Sequence, residues 1–360
     1  MLTAIYFLAF ALFQLPLGIL LDRYGPRRVN ATLLLVAAAG GAWFALGQSA
    51  AALTAARGLI GLGVSGCLMA SFTAFLLWYP ADRIATMNGV AFASGMLGAV
   101  VATVPLEVAL RAFGWREVFA GIVALNVVVS LLLFLAVPER TASQRGESVR
   151  AQLAGFVQIA RDAAFWRMAL AIGANQVAAV ALQTLWVATW LRDVAGYSPA
   201  EVARALLAFS LAMMLGYVGF GRAADARARR AQSTLPLILG GVAVGSASLA
   251  LILLGVRTGM LGLWCLFFGC STAVTLAYSL YSRRYPREMS GRVNTALNVF
   301  VFIGMFTGQW VVGLLLGLWP QSATGYAPEA YPWALAFLWA VQFAGLAWLW
   351  AGRGLLGVRS

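Results

Sequence analysis

The sequence predicts an all-α polytopic membrane protein. Of its 360 residues 62% are hydrophobic and only 10% charged, against roughly 45–50% apolar and about 25% charged in a soluble domain. Uncharged stretches of the ~20 residues needed to cross a bilayer recur from one end of the chain to the other. Within the bilayer only helices and closed barrels satisfy their backbone. Segments such as Leu33 to Leu46 and Val118 to Val137 lack the apolar–polar alternation of a barrel strand, which leaves helices.

Eleven spans follow, at about 2–21, 30–47, 50–77, 84–106, 116–137, 164–191, 201–221, 234–255, 260–281, 293–318 and 330–351. The first lacks the basic start of a signal peptide, its positive charges coming afterwards in Arg23, Arg27 and Arg28. Placing residues 22–28 in the cytoplasm and alternating from there sends most of the 25 basic residues, all arginine, to the same side. The outside receives Arg111, Arg116, Arg192, Arg204 and Arg257, and Arg57 stays within a span. By the positive-inside rule this puts the amino terminus outside and the carboxyl terminus in the cytoplasm of a bacterial inner membrane.

The net charge of +13 does not point to nucleic acid, because the arginines sit in short gaps between apolar spans and form no patch on a soluble module. With no histidine, the usual proton shuttle and metal ligand near neutral pH is missing. Cys67, Cys265 and Cys270 lie in apolar spans without metal-ligand spacing, so packing is their reading. Neither a metal nor another cofactor is expected. An integral-membrane enzyme would need paired acids, or a nucleophile with its base, in the spans, and neither is legible.

The longest polar segment suggests a cytoplasmic linker over 138–163, between an amino-terminal helical half at 1–137 and a carboxyl-terminal half at 164–360. An internal repeat supports the division. Gly18 and Asp22 recur as Gly221 and Asp225 at a constant offset of 203, each aspartate followed by arginines. In the second half one further span precedes this motif, and its counterpart would lie upstream of Met1. The expected arrangement is therefore five spans and then six.

The stretch Gly18-Ile-Leu-Leu-Asp22-Arg23-Tyr-Gly25-Pro-Arg27-Arg28 resembles the loop after the second helix of the major facilitator superfamily. The resemblance extends over essentially the whole chain from that helix onward, and it implies the two-halved fold of that family with its first transmembrane helix absent. It further implies a secondary transporter of a small solute working by alternating access in the bilayer, and a monomer is expected. Gly18 permits close helix approach and Gly25 a positive φ. Asp22, anionic at a helix end, suits the exposed N–H groups of a neighbouring helix start. The resemblance makes this motif, with Gly221 and Asp225, a latch between halves. The partner expected for Asp22 is the start of the helix after Met289, Ser290, Gly291 and Arg292, or Arg83; for Asp225 it is the start near Ala85 to Asn88.

Arg57-Gly-Leu-Ile-Gly61-Leu-Gly63 resembles the family's fourth-helix arginine motif. An arginine in a bilayer needs a partner or an aqueous cavity, and this one would suit an organic anion; snorkelling to the surface is the bland alternative. Gln14, Asn175, Gln183, Trp186 and Asn298 are candidates for the substrate path, with Trp190 sharing a face with Gln183 and Trp186; each serves equally well as interhelical glue. Glu107 is the candidate for ion coupling. Gly95, Gly98, Gly241, Gly245, Gly304, Gly308, Gly313 and Gly317 read as packing residues. Gly114-Trp115-Arg116 resembles many family members and assigns no role. The antiporter signature of the family is absent after Pro105. A nonfunctional fragment of such a transporter remains the second reading.

Overall fold

The computed structural model describes residues 2–102, 104–138, 149–282, 284–286, 289–320 and 325–356, and among them every regular element is a helix. Ten helical stretches there, from Pro26–Leu46 to Pro328–Ala351, are long and apolar enough to cross a membrane. Each answers one of the expected spans. Helix α1 (Leu2–Tyr24), 23 residues and so ~34 Å long, stands where the remaining span was expected.

Two stretches differ from the sequence reading. Helix α5 (Ile84–Val101) ends five residues before the expected limit of 106. Helix α6 (Val104–Ala136) then takes in residues 107–115, read as a connection, and turns at Gly114, whose φ of 75° and ψ of 168° interrupt the helix. Glu107 and Arg111 dilute the apolar signal there, yet Leu106, Ala109, Leu110 and Ala112 are strong helix formers, and only Gly114 breaks the run. The expected linker also contains a helix, α7 (Val149–Arg161), while residues 139–148 lie outside the described ones. Asp162 closes that segment by capping the next helix, its carboxylate accepting from Ala164 N at 2.9 Å.

The chain divides into two compact units. The first comprises Met1–Ile84, Leu97–Arg161 and Tyr281–Val299. Gly25, at φ 81°, makes the sharp turn from α1 into α2 (Pro26–Leu46), and Pro26 opens α2 where no N–H is needed. Helix α3 (Ala50–Val64) returns against α2 and α1 on a stripe of glycines. A Cβ on Gly63 would overlap the backbone of Ala37, and one on Gly61 the Tyr6 carbonyl. Backbones can touch this closely in a bilayer only where side chains are missing. The span breaks at Ser65 and Gly66 before α4 (Cys67–Trp78). Gln14 Nε2 donates to the Ser65 carbonyl at 3.4 Å, which occupies an acceptor at the break. Ser130 Oγ of α6 donates to the Ala31 carbonyl of α2 at 2.7 Å.

The second unit comprises Ala85–Met96, Asp162–Leu280 and Phe300–Ser360. Helix α8 (Ala163–Ala181) passes through a π turn at Leu182–Trp186 into α9 (Val187–Asp193). Then come α10 (Pro199–Arg229), started by a Ser198–Glu201 capping box, and α11 (Leu235–Leu253). The next span is broken into α12 (Met260–Ser271), a 3₁₀ turn at Thr272–Thr275 and α13 (Leu276–Ser282). At this break too a buried amide attends a carbonyl, Asn175 Nδ2 donating to Ser271 O at 3.3 Å. Helices α14 (Ser290–Leu316) and α15 (Tyr331–Ala351) complete the order. Gly304 and Gly308 lie against the Gly173 and Val177 carbonyls, and in the core Trp190 meets Trp264, and Phe267 meets Phe268, edge to face, while Phe209 lies tilted against Trp264 and Phe268.

The glycines do not all pack as expected. Gly241, Gly245, Gly304 and Gly308 are in close contact, whereas a Cβ on Gly95 or Gly98 would meet nothing within 4 Å. This contrast gives a test. Gly63→Val should lower stability by at least about 1–3 kcal/mol, the cost of overpacking, while Gly98→Ala should stay within about 0.5 kcal/mol of the parent. Thermal unfolding of the purified protein in detergent measures both.

Candidate functional site

Asp22 ends α1 as a buried carboxylate, 3% exposed. Its Oδ1 accepts from Gly291 N at 2.8 Å, and its Oδ2 accepts from Arg292 N at 3.3 Å and Arg292 Nε at 2.8 Å. Gly291 and Arg292 stand in the first turn of α14, whose N–H groups have no acceptor within their own helix. The positive end of the helix dipole and a guanidinium therefore converge on one carboxylate. Two glycines allow the approach: a Cβ on Gly18 would fall 2.5 Å from Thr295 Oγ1, and one on Gly291 would fall 2.5 Å from Asp22 Oδ1. Arg292 is itself buried, and on another side it meets α7, where a Cβ on Gly155 would fall 2.5 Å from Nη1.

The second unit repeats the motif. Asp225, 2% exposed, accepts from Ala85 N at 3.1 Å and Thr86 N at 2.7 Å, both in the first turn of α5. Gly221 lies on Ala85 and Thr86 as Gly18 lies on Arg292 and Thr295. The copies differ in one respect. Thr86 occupies the place of Arg292 and brings no charge, and its N–H with that of Ala85 donates to the Asp225 carboxylate. Further along α5, Phe92 stacks on Tyr217 with ring centroids 4.9 Å apart.

The remaining motif residues surround the first carboxylate's helix end. Gly25 makes the turn, the Arg23 guanidinium lies over the Tyr24 ring at 5.4 Å, and that of Arg27 over Phe134 at 4.8 Å. Arg28 lies exposed on the first turn of α2. Arg57 takes neither a carboxylate nor a hydrogen-bond acceptor among the described residues. Its guanidinium sits over Phe44 at 4.8 Å and Phe119 at 5.9 Å, with Nε buried and unpartnered.

The amides expected along a path are held in the interior. Gln14 is fully buried against the α3–α4 break. Asn175 joins Ser271 and Gln342, accepting from Gln342 Nε2 at 2.9 Å. Asn298 is 4% exposed on α14. Gln183 reaches Met96 Sδ at 3.5 Å, whereas Trp186 packs on Tyr326 and Trp190 on Trp264. Gln183 and Trp186 both lie in the π turn, whose wider pitch departs from ordinary helical spacing, and they meet different partners. The Glu107 side chain lies outside the described residues.

Sequence reasoning missed Asp193. It sits at the end of α9 and accepts from Tyr331 OH at 2.7 Å and Tyr326 N at 3.2 Å, fixing the segment before α15. Its signal was an isolated acid at a span end, next to Arg192.

The profile of the Major Facilitator Superfamily matches residues 1–309. The chain belongs to that superfamily. Among curated proteins, it is 23% identical over 223 residues to the probable sulfoacetate transporter SauU of Cupriavidus necator, covering 58% of this chain and 51% of that protein. It is 25% identical over 199 residues to the nitrite extrusion protein of Bacillus subtilis, covering 55% and 49%. The matches thus span about half the length of these relatives. The Escherichia coli fucose:proton symporter FucP shares the fold at a TM-score of 0.75 and 16% identity, over 97% of this chain and 90% of that one.

The Asp22 geometry predicts unequal costs for its two partners. Arg292→Leu strands a buried carboxylate and should cost about 3 kcal/mol or more. Asp22→Asn removes the charge opposite the buried Arg292 guanidinium but keeps an amide oxygen for Gly291 N, so its cost, about 2 kcal/mol or more, should be the smaller of the two. Chemical denaturation in detergent, followed by tryptophan fluorescence, ranks the two.

Proposed function

We propose that this superfamily member is a secondary transporter that carries a small anion across a bacterial inner membrane by alternating access. Its moving parts are the halves 1–137 and 164–360, joined by the linker 138–163. The observation that carries the reading is the pair of equivalent latches, in which Asp22 and Asp225 each cap the first turn of a helix distant in sequence. Such a contact is made in one state and lost in another, and about 1–2 kcal/mol apiece biases two states roughly five- to thirty-fold. The arginine distribution puts both aspartates in the cytoplasm, so the latched state is closed on that side, with the amino terminus outside and the carboxyl terminus inside.

The anion rests on three supports. Both curated relatives are named for anions, the chain carries a net charge of +13, and Arg57 lacks an acidic partner among the described residues. In this reading the chain acts as a monomer in the bilayer on a small-molecule substrate, with no cofactor, no nucleic acid and no catalytic residues. Glu107 is the proposed coupling carboxylate.

Reconstituted proteoliposomes test the function. Labelled sulfoacetate or nitrite should enter at a saturable rate that Asp22→Asn lowers at least ~5-fold. Saturable entry of neutral sugars with the anions excluded would overturn the anion assignment, and an unaltered rate in Asp22→Asn would remove the latch.

A further inference from the structure

Three aromatic rings gather at the end of the first unit opposite Asp22. Phe44 closes α2, and Trp115 and Phe119 stand one turn apart on α6. Their centroids are 5.8 Å apart for Phe44 and Trp115, 4.6 Å for Phe44 and Phe119, and 6.2 Å for Trp115 and Phe119. Two guanidinium groups lie on this cluster. Arg57, from α3, covers Phe44 and Phe119. Arg116 lies over Trp115 at 4.2 Å and donates from Nε to the Ala45 carbonyl, the residue after Phe44, at 3.2 Å.

The chain is built to bring the second arginine there. Gly114, at φ 75°, breaks α6 in a conformation that side-chain-bearing residues rarely adopt, and the helix resumes at Trp115 beside the end of α2. Glu117, the nearest acid in sequence, is exposed and turns its carboxylate toward Gly114, where a Cβ would meet Oε2 at 2.9 Å. No ion pair joins it to Arg57 or Arg116 among the described residues. Rings favour cations but leave the in-plane N–H groups of a guanidinium unused. All five donors of Arg57 and the Nη donors of Arg116 have no acceptor among the described residues. Two fork-shaped cations without a counter-charge fit carboxylate or sulfonate oxygens in bidentate fashion.

We propose that Arg57 and Arg116, mounted on Phe44, Trp115 and Phe119, form a docking site for a soluble two-headed organic anion, one head on each guanidinium. This deepens the transport reading and rests on it: by the arginine distribution the site faces outward, where substrate would first be captured. Aromatic faces hold the guanidinium groups in place without neutralising them, so their charge stays free for the solute.

The test uses the full chain purified in neutral detergent, with isothermal titration of sulfoacetate and of the single-headed acetate and methanesulfonate. Sulfoacetate should bind at least tenfold tighter than either, and Arg57→Gln or Arg116→Gln should each reduce it to the single-headed level. Arg57→Lys, which keeps charge and volume but not the fork, should fall between. Unfolding midpoints check that each variant is folded; Arg116 is exposed, so losing its contacts to Ala45 and Trp115 should lower the midpoint only slightly. Unchanged sulfoacetate binding in Arg116→Gln would overturn the two-cation site, as would displacement of sulfoacetate by phosphatidylglycerol micelles, which would assign the arginines to a lipid headgroup. Uptake in proteoliposomes separates the two readings. Sulfoacetate transport with an unaltered KM in both glutamine variants leaves the transporter standing and removes the docking site. Transport of neutral solutes alone removes the anion reading itself.

Discussion

A carboxylate withdrawn from water must be met by donors, and at Asp22 the donors are the open end of another helix. Three hydrogen bonds reach its two oxygens, two of them from backbone N–H groups that α14 cannot satisfy internally. The Arg292 side chain adds a full charge to the partial charge of the helix start. Removing either partner strands the other where solvation is poor. Much of the local chain follows from this one contact. Gly18 and Gly291 are glycines because any Cβ would occupy the space of the hydrogen bonds or of Thr295. Gly155 of α7 is a glycine where the Arg292 guanidinium runs beneath it.

The same economy of side chains governs the spans. In a bilayer the hydrophobic effect does not press helices together, so affinity comes from contact area and from polar groups inside. Gly63 on Ala37 and Gly304 on Gly173 supply contact, and the breaks at Ser65 and Ser271 supply carbonyls. Gln14 and Asn175 meet those carbonyls with amide N–H groups. Both residues, candidates for a solute path and equally for interhelical hydrogen bonding, make the second kind of contact here. In both units a broken span packs against a helix that carries a buried amide.

The Asp22 and Asp225 contacts were legible because their chemistry is local. A glycine, an aspartate at a helix end and arginines just beyond recur at a fixed offset, and a carboxylate at a helix end calls for N–H groups at a helix start. The starts at Gly291 and Ala85 lie on the same charged face by arginine counting alone. Arg57 was legible only as a cation in need of company. Its companions Phe44 and Phe119 lie on two other helices, and phenylalanine in an apolar span carries no mark of what its face will meet. The helical course of residues 107–113 was hidden because charge content, used to bound spans, outweighed helix propensity. The π turn after Ala181 has no sequence signature of comparable strength, so its departure from ordinary helical spacing was not legible.

Thiol accessibility tests the latch most directly. In a background with Cys67, Cys265 and Cys270 replaced by serine, Thr295→Cys places a thiol beneath Gly18, behind the Asp22 contact. An impermeant maleimide applied to inside-out vesicles should label it slowly while Asp22 is intact, and several-fold faster in Asp22→Asn, since loss of about 1 kcal/mol shifts a two-state population about five-fold. Equal labelling rates in the two proteins, with transport also equal, would mean that the carboxylate holds a helix end in place and that the proposed alternation between two open faces does not depend on it.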